Sequence, residues 1–214
     1  MKKTIIAAAM LCVTAISAQA QDTKSSEKTN GLHFGIRAGL NLANILKTND
    51  NNFSTQLKPG FNGGVFLELP IVNGFSVQPE VQFSQKGYKT TGSSLVNGSY
   101  EYNVTTNYIE VPILAKFSPS KSFAIVIGPQ YSFLTSTKTN FTSGNANYQQ
   151  LVQNDNNNLK KNILGGVVGI EAGASNLIFS ARYNLDFQQN NGDGSSTTPQ
   201  YKNQVIAFGI GLRF

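Results

Sequence analysis

The stretch that decides the fold runs from Phe75 to Ser84 and reads Phe-Ser-Val-Gln-Pro-Glu-Val-Gln-Phe-Ser. Apolar residues occupy every second position, and Ser, Gln and Glu fill the positions between them. Successive side chains of a β-strand point to opposite faces, so this alternation predicts a strand with one apolar and one polar face. The same period of two recurs on both sides of this stretch.

Seven further segments continue the pattern along the chain. It is clear in residues 32–42, 109–117, 177–187 and 206–214, and weaker in residues 60–69, 123–135 and 163–173. Gly-rich or continuous apolar runs leave open which residues of the weaker segments face which side. Eight strands result, most of them long enough for the 9–11 tilted residues that cross a bilayer.

Short and long connections alternate between these strands. Residues 70–74, 118–121 and 173–176 carry turn residues such as Asn73-Gly74 and Pro119-Ser120. Residues 45–58, 89–103, 136–160 and 188–200 form long polar loops in this interpretation. Tight turns at one end and long loops at the other are typical of an up-and-down barrel in an outer membrane.

The fold class predicted is therefore all-β, as an eight-stranded antiparallel up-and-down transmembrane β-barrel. Its apolar face carries Leu, Ile, Val and Phe, which suit lipid. We expect the aromatic residues near strand ends to form girdles at the two membrane interfaces. These are Phe75, Tyr88, Tyr108, Phe117, Phe123, Tyr131, Phe133, Phe187, Tyr201 and Phe214. A soluble β protein stays open as an alternative, because alternation does not identify the solvent outside.

The first segment reads as an export signal. Lys2 and Lys3 precede an apolar run, and Ala18-Gln19-Ala20 supplies small residues at the cleavage site. The apolar run is too short to span a bilayer. The predicted organisation is a signal peptide over residues 1–20, a short polar leader over 21–30 and a barrel domain over 31–214, exported to the bacterial outer membrane as an integral protein.

Composition removes several classes of function. The 214 residues are 13% charged, which excludes a charge-rich disordered tail or a coiled coil. Cys12 lies inside the predicted signal, so the mature chain has no thiol for a disulfide or a metal. Its net charge falls from +6 to +4 without Lys2 and Lys3, and its basic residues are scattered, which argues against nucleic acid. No cofactor or metal is expected.

The polar face carries charges that would be costly in a soluble core. By parity nine of them point into the barrel: Arg37, Glu68, Glu80, Glu110, Lys116, Glu171, Arg182, Asp186 and Arg213. An eight-stranded barrel is just wide enough for side chains to fill. Opposite charges can pair there, and buried ions are tolerated when each finds a partner. We therefore expect a structural charge network that plugs the lumen.

The residues favour a non-enzymatic function over two alternatives. Some membrane barrels hydrolyse or transfer lipids near their outer rim, but the single histidine, His33, falls at the periplasmic end. An open pore is more typical of 16–18 strands. The long polar loops could instead bind a ligand or another envelope protein, since loops on a rigid scaffold often carry function. They could equally serve only to stay solvated.

A family resemblance is carried by several motifs. They are Gly35-Ile-Arg-Ala-Gly-Leu-Asn-Leu-Ala-Asn44, Pro59-Gly-Phe-Asn-Gly-Gly64, Val77-Gln-Pro-Glu-Val-Gln-Phe-Ser-Gln-Lys-Gly87, Tyr108-Ile-Glu-Val-Pro-Ile-Leu114, Gly128-Pro129 and Gly209-Ile-Gly-Leu-Arg-Phe214. Together they resemble the PorT-type outer-membrane β-barrel domain common in Bacteroidota, over nearly all of the mature chain. The terminal Phe214 is similar to the signal that barrel-assembly machinery reads.

The resemblance implies a fold and a location more firmly than an activity. The family's namesake is associated with type IX secretion, so an accessory role in secretion or envelope assembly is the alternative function. The family brings no catalytic motif. The expected partners are outer-membrane lipid, the barrel-assembly machinery during biogenesis and one further envelope or secretion-system protein. The chain is expected to be a monomer.

Overall fold

The computed structural model describes residues 31–47, 55–94, 98–143, 146–152, 159–190 and 201–214. The predicted signal peptide and leader lie outside these residues. The strands are β1 (His33–Lys47), β2 (Thr55–Gln56), β3 (Lys58–Val72), β4 (Phe75–Ser94), β5 (Gly98–Ser120), β6 (Phe123–Ser143), β7 (Ala146–Val152), β8 (Asn162–Ala174), β9 (Leu177–Asp186) and β10 (Tyr201–Arg213). In this part of the chain, no helix has the length and apolarity needed to cross a bilayer.

Eight of the strands close on themselves. Each pairs antiparallel with its neighbours in the ring order β1, β3, β4, β5, β6, β8, β9, β10, and β10 returns to β1. The closing pair runs from Gly35 opposite Arg213 to Lys47 opposite Tyr201. The two short strands add to the edges of this ring, β2 on β4 and β7 on β6. The predicted eight-stranded antiparallel barrel is confirmed.

The two faces of the barrel wall have opposite polarity. Large apolar side chains point outward, among them Leu40, Ile113 and Phe208, which are at least half exposed. Their neighbours in sequence point inward and are buried, as Gln78 is at 0% exposure. The polar face is therefore inside and the apolar face outside, which is the reverse of a soluble domain. This arrangement fits a barrel surrounded by lipid.

Three two-residue turns mark one end of the barrel, which we call the turn end. They are Asn73-Gly74, Lys121-Ser122 and Ser175-Asn176. Gly74 has φ of 77°, a left-handed conformation that glycine adopts without a steric penalty. The second turn lies later than Pro119-Ser120 predicted, because β5 continues through Ser120 after a register shift.

The opposite end, which we call the hairpin end, differs from the prediction. Residues 89–103 and 136–160 were expected to be long loops, but β4 and β5 stay paired up to Ser94 opposite Gly98. Likewise β6 continues to Ser143 and pairs with β7. Polar Thr, Ser and Asn residues, which suggest a loop by composition, satisfy their backbone groups here by strand pairing. The barrel wall therefore projects as two long hairpins.

The aromatic girdles are also only partly as predicted. Phe75, Phe117, Phe123, Tyr131 and Phe187 face outward and are at least one third exposed, as expected for girdle residues. Tyr88, Tyr108 and Tyr201 instead point into the barrel and are at most 4% exposed.

The parity of neighbouring residues explains this correction. Tyr108 shares the inner face of β5 with Glu110, and Tyr201 shares the inner face of β10 with Asn203. Proximity to a strand end suggested an interface position. The face of the strand decides whether the ring meets lipid or the lumen.

Candidate functional site in the barrel lumen

The structure places the nine predicted charges inside the barrel. Eight of them have residue exposures of at most 7%: Arg37, Glu68, Glu80, Glu110, Lys116, Glu171, Arg182 and Asp186. The ninth, Arg213, stands at the turn end with 31% of its side chain exposed. They come from seven different strands. Because they occupy the alternate positions that face the lumen, their side chains point inward.

Glu171 on β8 is the hub of a central cluster. Its Oε1 lies 2.9 Å from Arg37 Nη2 and 2.7 Å from Arg182 Nη2. Its Oε2 lies 3.0 Å from Lys116 Nζ. Cations from β1, β9 and β5 therefore converge on one carboxylate. The contacts to Arg37 and Lys116 join strands that are not neighbours in the ring, so the cluster ties distant parts of the wall together.

Glu80 on β4 completes this central cluster. Arg182 donates two hydrogen bonds to it, from Nη1 to Oε2 at 2.8 Å and from Nη2 to Oε1 at 2.9 Å. Such a bidentate pair is among the strong ion pairs of proteins. Arg37 approaches the same carboxylate at 3.6 Å, and the Gln78 amide donates to it at 2.7 Å. Two carboxylates and three cations thus share one buried layer.

A branch of the network leads from this layer to the turn end. Lys116 Nζ bridges from Glu171 to Glu68, whose Oε2 lies 3.0 Å away. The Ser76 hydroxyl donates to Glu68 Oε1 at 3.3 Å. Arg213 Nη1 lies 3.6 Å from Glu68 Oε2. Charge pairing therefore continues from the centre of the barrel to its mouth.

A second cluster lies nearer the hairpin end and is centred on Lys86 of β4. Its ammonium is 2.7 Å from Glu110 Oε1 and 3.2 Å from Asp186 Oδ1. Gln82 donates to Glu110 at 2.9 Å, and Asn203 donates to Asp186 at 2.7 Å. The Lys86 ammonium also lies 5.1 Å from the centre of the Tyr108 ring, within range of a cation–π contact.

Lys86 is the lumen residue that the sequence interpretation missed. The third predicted strand ended at Ser84, although the parity of Glu80, Gln82 and Ser84 leads directly to Lys86. Extending that strand by two residues finds it. With Lys86 included, five cations and five carboxylates line the described lumen, so their formal charges cancel.

Uncharged amides fill the space between the two clusters. Asn41 donates to Ser84 at 3.1 Å, and Asn62 donates to Asn41 at 2.7 Å. A cavity of about 10 Å³ remains beside this layer and borders both Arg37 and Arg182. A volume of that size holds about one water molecule. The lumen is therefore filled at this level by side chains.

A cluster of apolar and aromatic side chains, which we call the aromatic cap, lies in the lumen toward the hairpin end. It consists of Ile45, Tyr88, Val104 and Tyr201, all at most 5% exposed, with Tyr102 packed against them. The rings of Tyr88 and Tyr201 meet edge to face with centroids 5.2 Å apart. Edge-to-face contacts are a favoured aromatic geometry. The aromatic cap therefore lies between the buried charges and the hairpin end.

Glycines give the large lumen side chains their room. A Cβ at Gly169 would lie 2.7 Å from Arg182 Cγ, closer than such atoms approach. A Cβ at Gly35 would collide with the Phe66 ring, which lies under the Arg37 guanidinium at 5.0 Å. The absence of a side chain on these two inward positions therefore permits the arginines to reach the centre.

The arrangement is suited to closing the barrel. Its charges pair with one another inside the wall. Among the described residues, no group of three or more His, Cys, Asp or Glu is placed to hold a metal ion. His33 lies at the turn end of β1 and pairs in register with Glu68.

Phe214, the predicted assembly signal, lies on the outer face at the turn end. Its backbone amide donates to Phe34 at 2.7 Å, and its carbonyl accepts from the Phe34 amide at 3.2 Å. The ring is 63% exposed and stacks near Phe34 with centroids 6.5 Å apart. The last residue therefore takes part in closing β10 onto β1.

Solved outer-membrane proteins resemble this chain at low sequence identity, and Neisserial surface protein A shares its fold. Neisserial surface protein A covers 86% of this chain and 100% of its own, at 13% identity and a TM-score of 0.51. The attachment invasion locus protein Ail of Yersinia pestis covers 85% and 98%, at 16% identity and a TM-score of 0.46. A major outer membrane protein from Thermus thermophilus covers 86% and 100%, at 17% identity and a TM-score of 0.47.

The family comparison agrees with the fold. No curated protein shows significant similarity to the sequence. A family model described as outer membrane protein beta-barrel domain matches residues 18–190, most of the chain. The match includes the barrel from β1 through β9, and the lipid-compatible outer face agrees with it. The chain is a small outer-membrane protein and belongs to the outer membrane protein beta-barrel domain family.

Proposed function

We propose that this protein is a non-enzymatic outer-membrane barrel whose lumen is closed and whose extracellular hairpins provide its working surface. The observation that carries the proposal is the charge network across the lumen. Glu171 binds cations from three other strands, and the aromatic cap lies between the network and the hairpin end. Because several of these pairs join strands that are not neighbours in the ring, ion passage would require several contacts to break together.

Conductance across a planar lipid bilayer tests the closed lumen. The wild-type protein is expected to insert without stepwise ohmic currents. Removing one neutral pair, Arg182→Ala with Glu80→Ala, leaves a gap in the central cluster and is expected to produce measurable conductance. Stable open-pore steps from the wild-type protein would contradict the proposal.

The matched control removes a neutral pair outside the lumen. Lys89 and Glu101 lie 2.8 Å apart with about one third of each side chain exposed. The variant Lys89→Ala with Glu101→Ala should remain as insulating as the wild type. Heat-modifiable electrophoretic mobility establishes that each variant is folded before it is measured.

The β4–β5 hairpin supports the interaction part of the proposal. Longer hairpins of membrane barrels face the cell exterior, and loops on a rigid scaffold often carry binding function. Since Thr91 pairs with Glu101, residues 92–100 can be replaced by Asn-Gly without disturbing the register below. We expect this shortened variant to fold normally and to lose a partner that co-purifies from native membranes.

The same co-purification separates the surface role from the accessory role in secretion or envelope assembly. A partner bound through the hairpins should disappear when β4 and β5 are shortened. A stoichiometric secretion or assembly protein that the shortened variant retains would instead favour the accessory role. Mutagenesis would then move to the turn end, the side that faces the periplasm in such barrels.

A further inference from the structure

The charges outside the lumen are distributed unequally between the two ends. At the hairpin end, six lysines with described side chains surround the barrel, and we call them the lysine belt. They are Lys58, Lys89, Lys138, Lys160, Lys161 and Lys202. Among side chains described at that end, Glu101 is the acidic residue outside the lumen. At the turn end, Lys121 is the corresponding lysine in the described part of the chain.

The lysine belt lies directly beyond the lipid-facing surface. On β5 and β10 an amide ends the apolar face: toward the hairpin end, Asn107 lies two residues beyond Ile109 and Gln204 lies two residues beyond Ile206. Lys202 stands two residues beyond Gln204 on the same face. Lysines just past the hydrocarbon edge occupy the level of lipid headgroups, where their aliphatic stems stay near apolar surface.

Lys138, Lys160 and Lys161 also lie nearer the hairpin end than an apolar residue of their strand or of the strand that follows. Lys138 stands five residues beyond Phe133 on β6, and Lys160 and Lys161 precede Leu164 at the start of β8. Lysines on β3, β4, β6 and β10, and directly before β8, are thus distributed around the ring. Such a distribution resembles a headgroup-level band more than a single docking patch.

Lys58 and Lys89 form the densest part of the belt. The Lys58 ammonium donates to Asn103 at 2.7 Å, and Asn103 pairs in register with Lys89. The charge of Lys89 acts on Lys58, so the two ammonium groups repel each other. Glu101 neutralises one of these two cations at 2.8 Å. The pair therefore retains an excess positive charge that an anion would stabilise.

We propose that the lysine belt binds the phosphate groups of lipids in the leaflet at the hairpin end. Phosphate offers several acceptor oxygens to an ammonium, and lysines near an anionic membrane surface each add to the attraction. The excess of lysine over acid supplies the charge complementarity. The position just past the apolar face favours a lipid headgroup over a soluble polyanion. The inference is independent of whether the lumen conducts.

Electron paramagnetic resonance of spin-labelled lipids measures this selectivity directly. The full-length barrel is reconstituted in phosphatidylcholine bilayers, and the motionally restricted fraction is compared for labelled phosphatidic acid and labelled phosphatidylcholine. We expect the wild type to prefer phosphatidic acid by about threefold or more, and this preference to fall in high salt. Equal association of the two lipids would overturn the proposal.

Two sets of variants assign the selectivity to the belt. Changing its six lysines to Gln should reduce the preference to about one. Changing the same six to Arg retains the charge and should retain the preference, as should Lys121→Gln at the turn end. A preference that survives the Gln changes would overturn the proposal. Binding of dextran sulfate by the wild type without lipid selectivity would also overturn it, in favour of a soluble polyanion.

Discussion

The charge reversal Glu110→Lys tests how much the buried charge network contributes to stability. Glu110 is 0% exposed and lies 2.7 Å from the Lys86 ammonium. In the structure the adjacent cation is Lys86, which would lose one of its two carboxylates and face a second ammonium.

The expected cost follows from two contributions. Removing one partner of a buried ion pair costs roughly 3–5 kcal/mol, because the remaining charge stays desolvated. Repulsion between two cations about 4 Å apart adds up to about 4 kcal/mol at an effective dielectric constant of about 20. Since net stabilities are about 5–15 kcal/mol, we expect Glu110→Lys to lower the free energy of unfolding by at least about 3 kcal/mol.

Glu101→Lys is the matched control for this prediction. It makes the same change to a lysine-paired glutamate at nearly the same distance, 2.8 Å, but with 40% of the glutamate side chain exposed. Exposed pairs contribute about 0–1 kcal/mol, so the loss should stay near that value. Glu110→Gln, which removes the charge and keeps an acceptor, should fall between the two reversals.

Urea titration of the barrel in lipid vesicles measures these differences. The chain has no Trp, so far-ultraviolet circular dichroism and heat-modifiable mobility report the folded fraction. The midpoint and slope give the free energy of unfolding in water. If Glu110→Lys loses no more stability than Glu101→Lys, burial does not amplify the charge effect and the reasoning is wrong.

Two further changes test assembly and backbone geometry. Deleting Phe214 removes its two backbone hydrogen bonds to Phe34 and the proposed assembly signal, so the heat-modifiable membrane fraction should fall; unchanged insertion would contradict both roles. Gly87→Ala introduces a Cβ at φ of 138° that collides with the Val104 carbonyl, so chemical denaturation should show a loss of at least about 1 kcal/mol. Gly63→Ala is its control, because a Cβ there meets the nearest atom at 3.4 Å, an ordinary contact, and equal losses would refute the strain argument.

Much of the architecture could be predicted from the alternation of apolar and polar residues in the sequence. In Phe75 to Ser84, one face is apolar at every second residue, and that pattern assigns each residue to one of the two faces of the strand. The same alternation predicts that Glu80, Glu110 and Glu171 point inward on three separate strands, and in the structure all three are buried inside the barrel. Period two is a local property of the backbone, so it can be followed without knowing which strands meet.

Composition was a poorer guide at the hairpin end. The run from Lys89 to Asn103 is polar and suggested a loop, yet Thr90 pairs with Tyr102 in a continued ladder. Polar residues form strands when a partner strand satisfies their backbone groups, and that partner is a property of the fold. The same misplaced strand end hid Lys86, and an interface position was assigned to Tyr88 without regard to its face.

By itself the sequence determined the class of fold, the number of barrel strands and nine of the ten charged residues that line the described lumen, because alternation is decided residue by residue along each strand. Only the tertiary structure decided which charges meet. Arg182 binds Glu80, which is 102 residues away in sequence, and Lys86 lies between Glu110 and Asp186. Barrel closure and the stagger of the strands place these side chains at the same level of the lumen. Pairing depends on the register of every intervening strand, and no single segment contains that information.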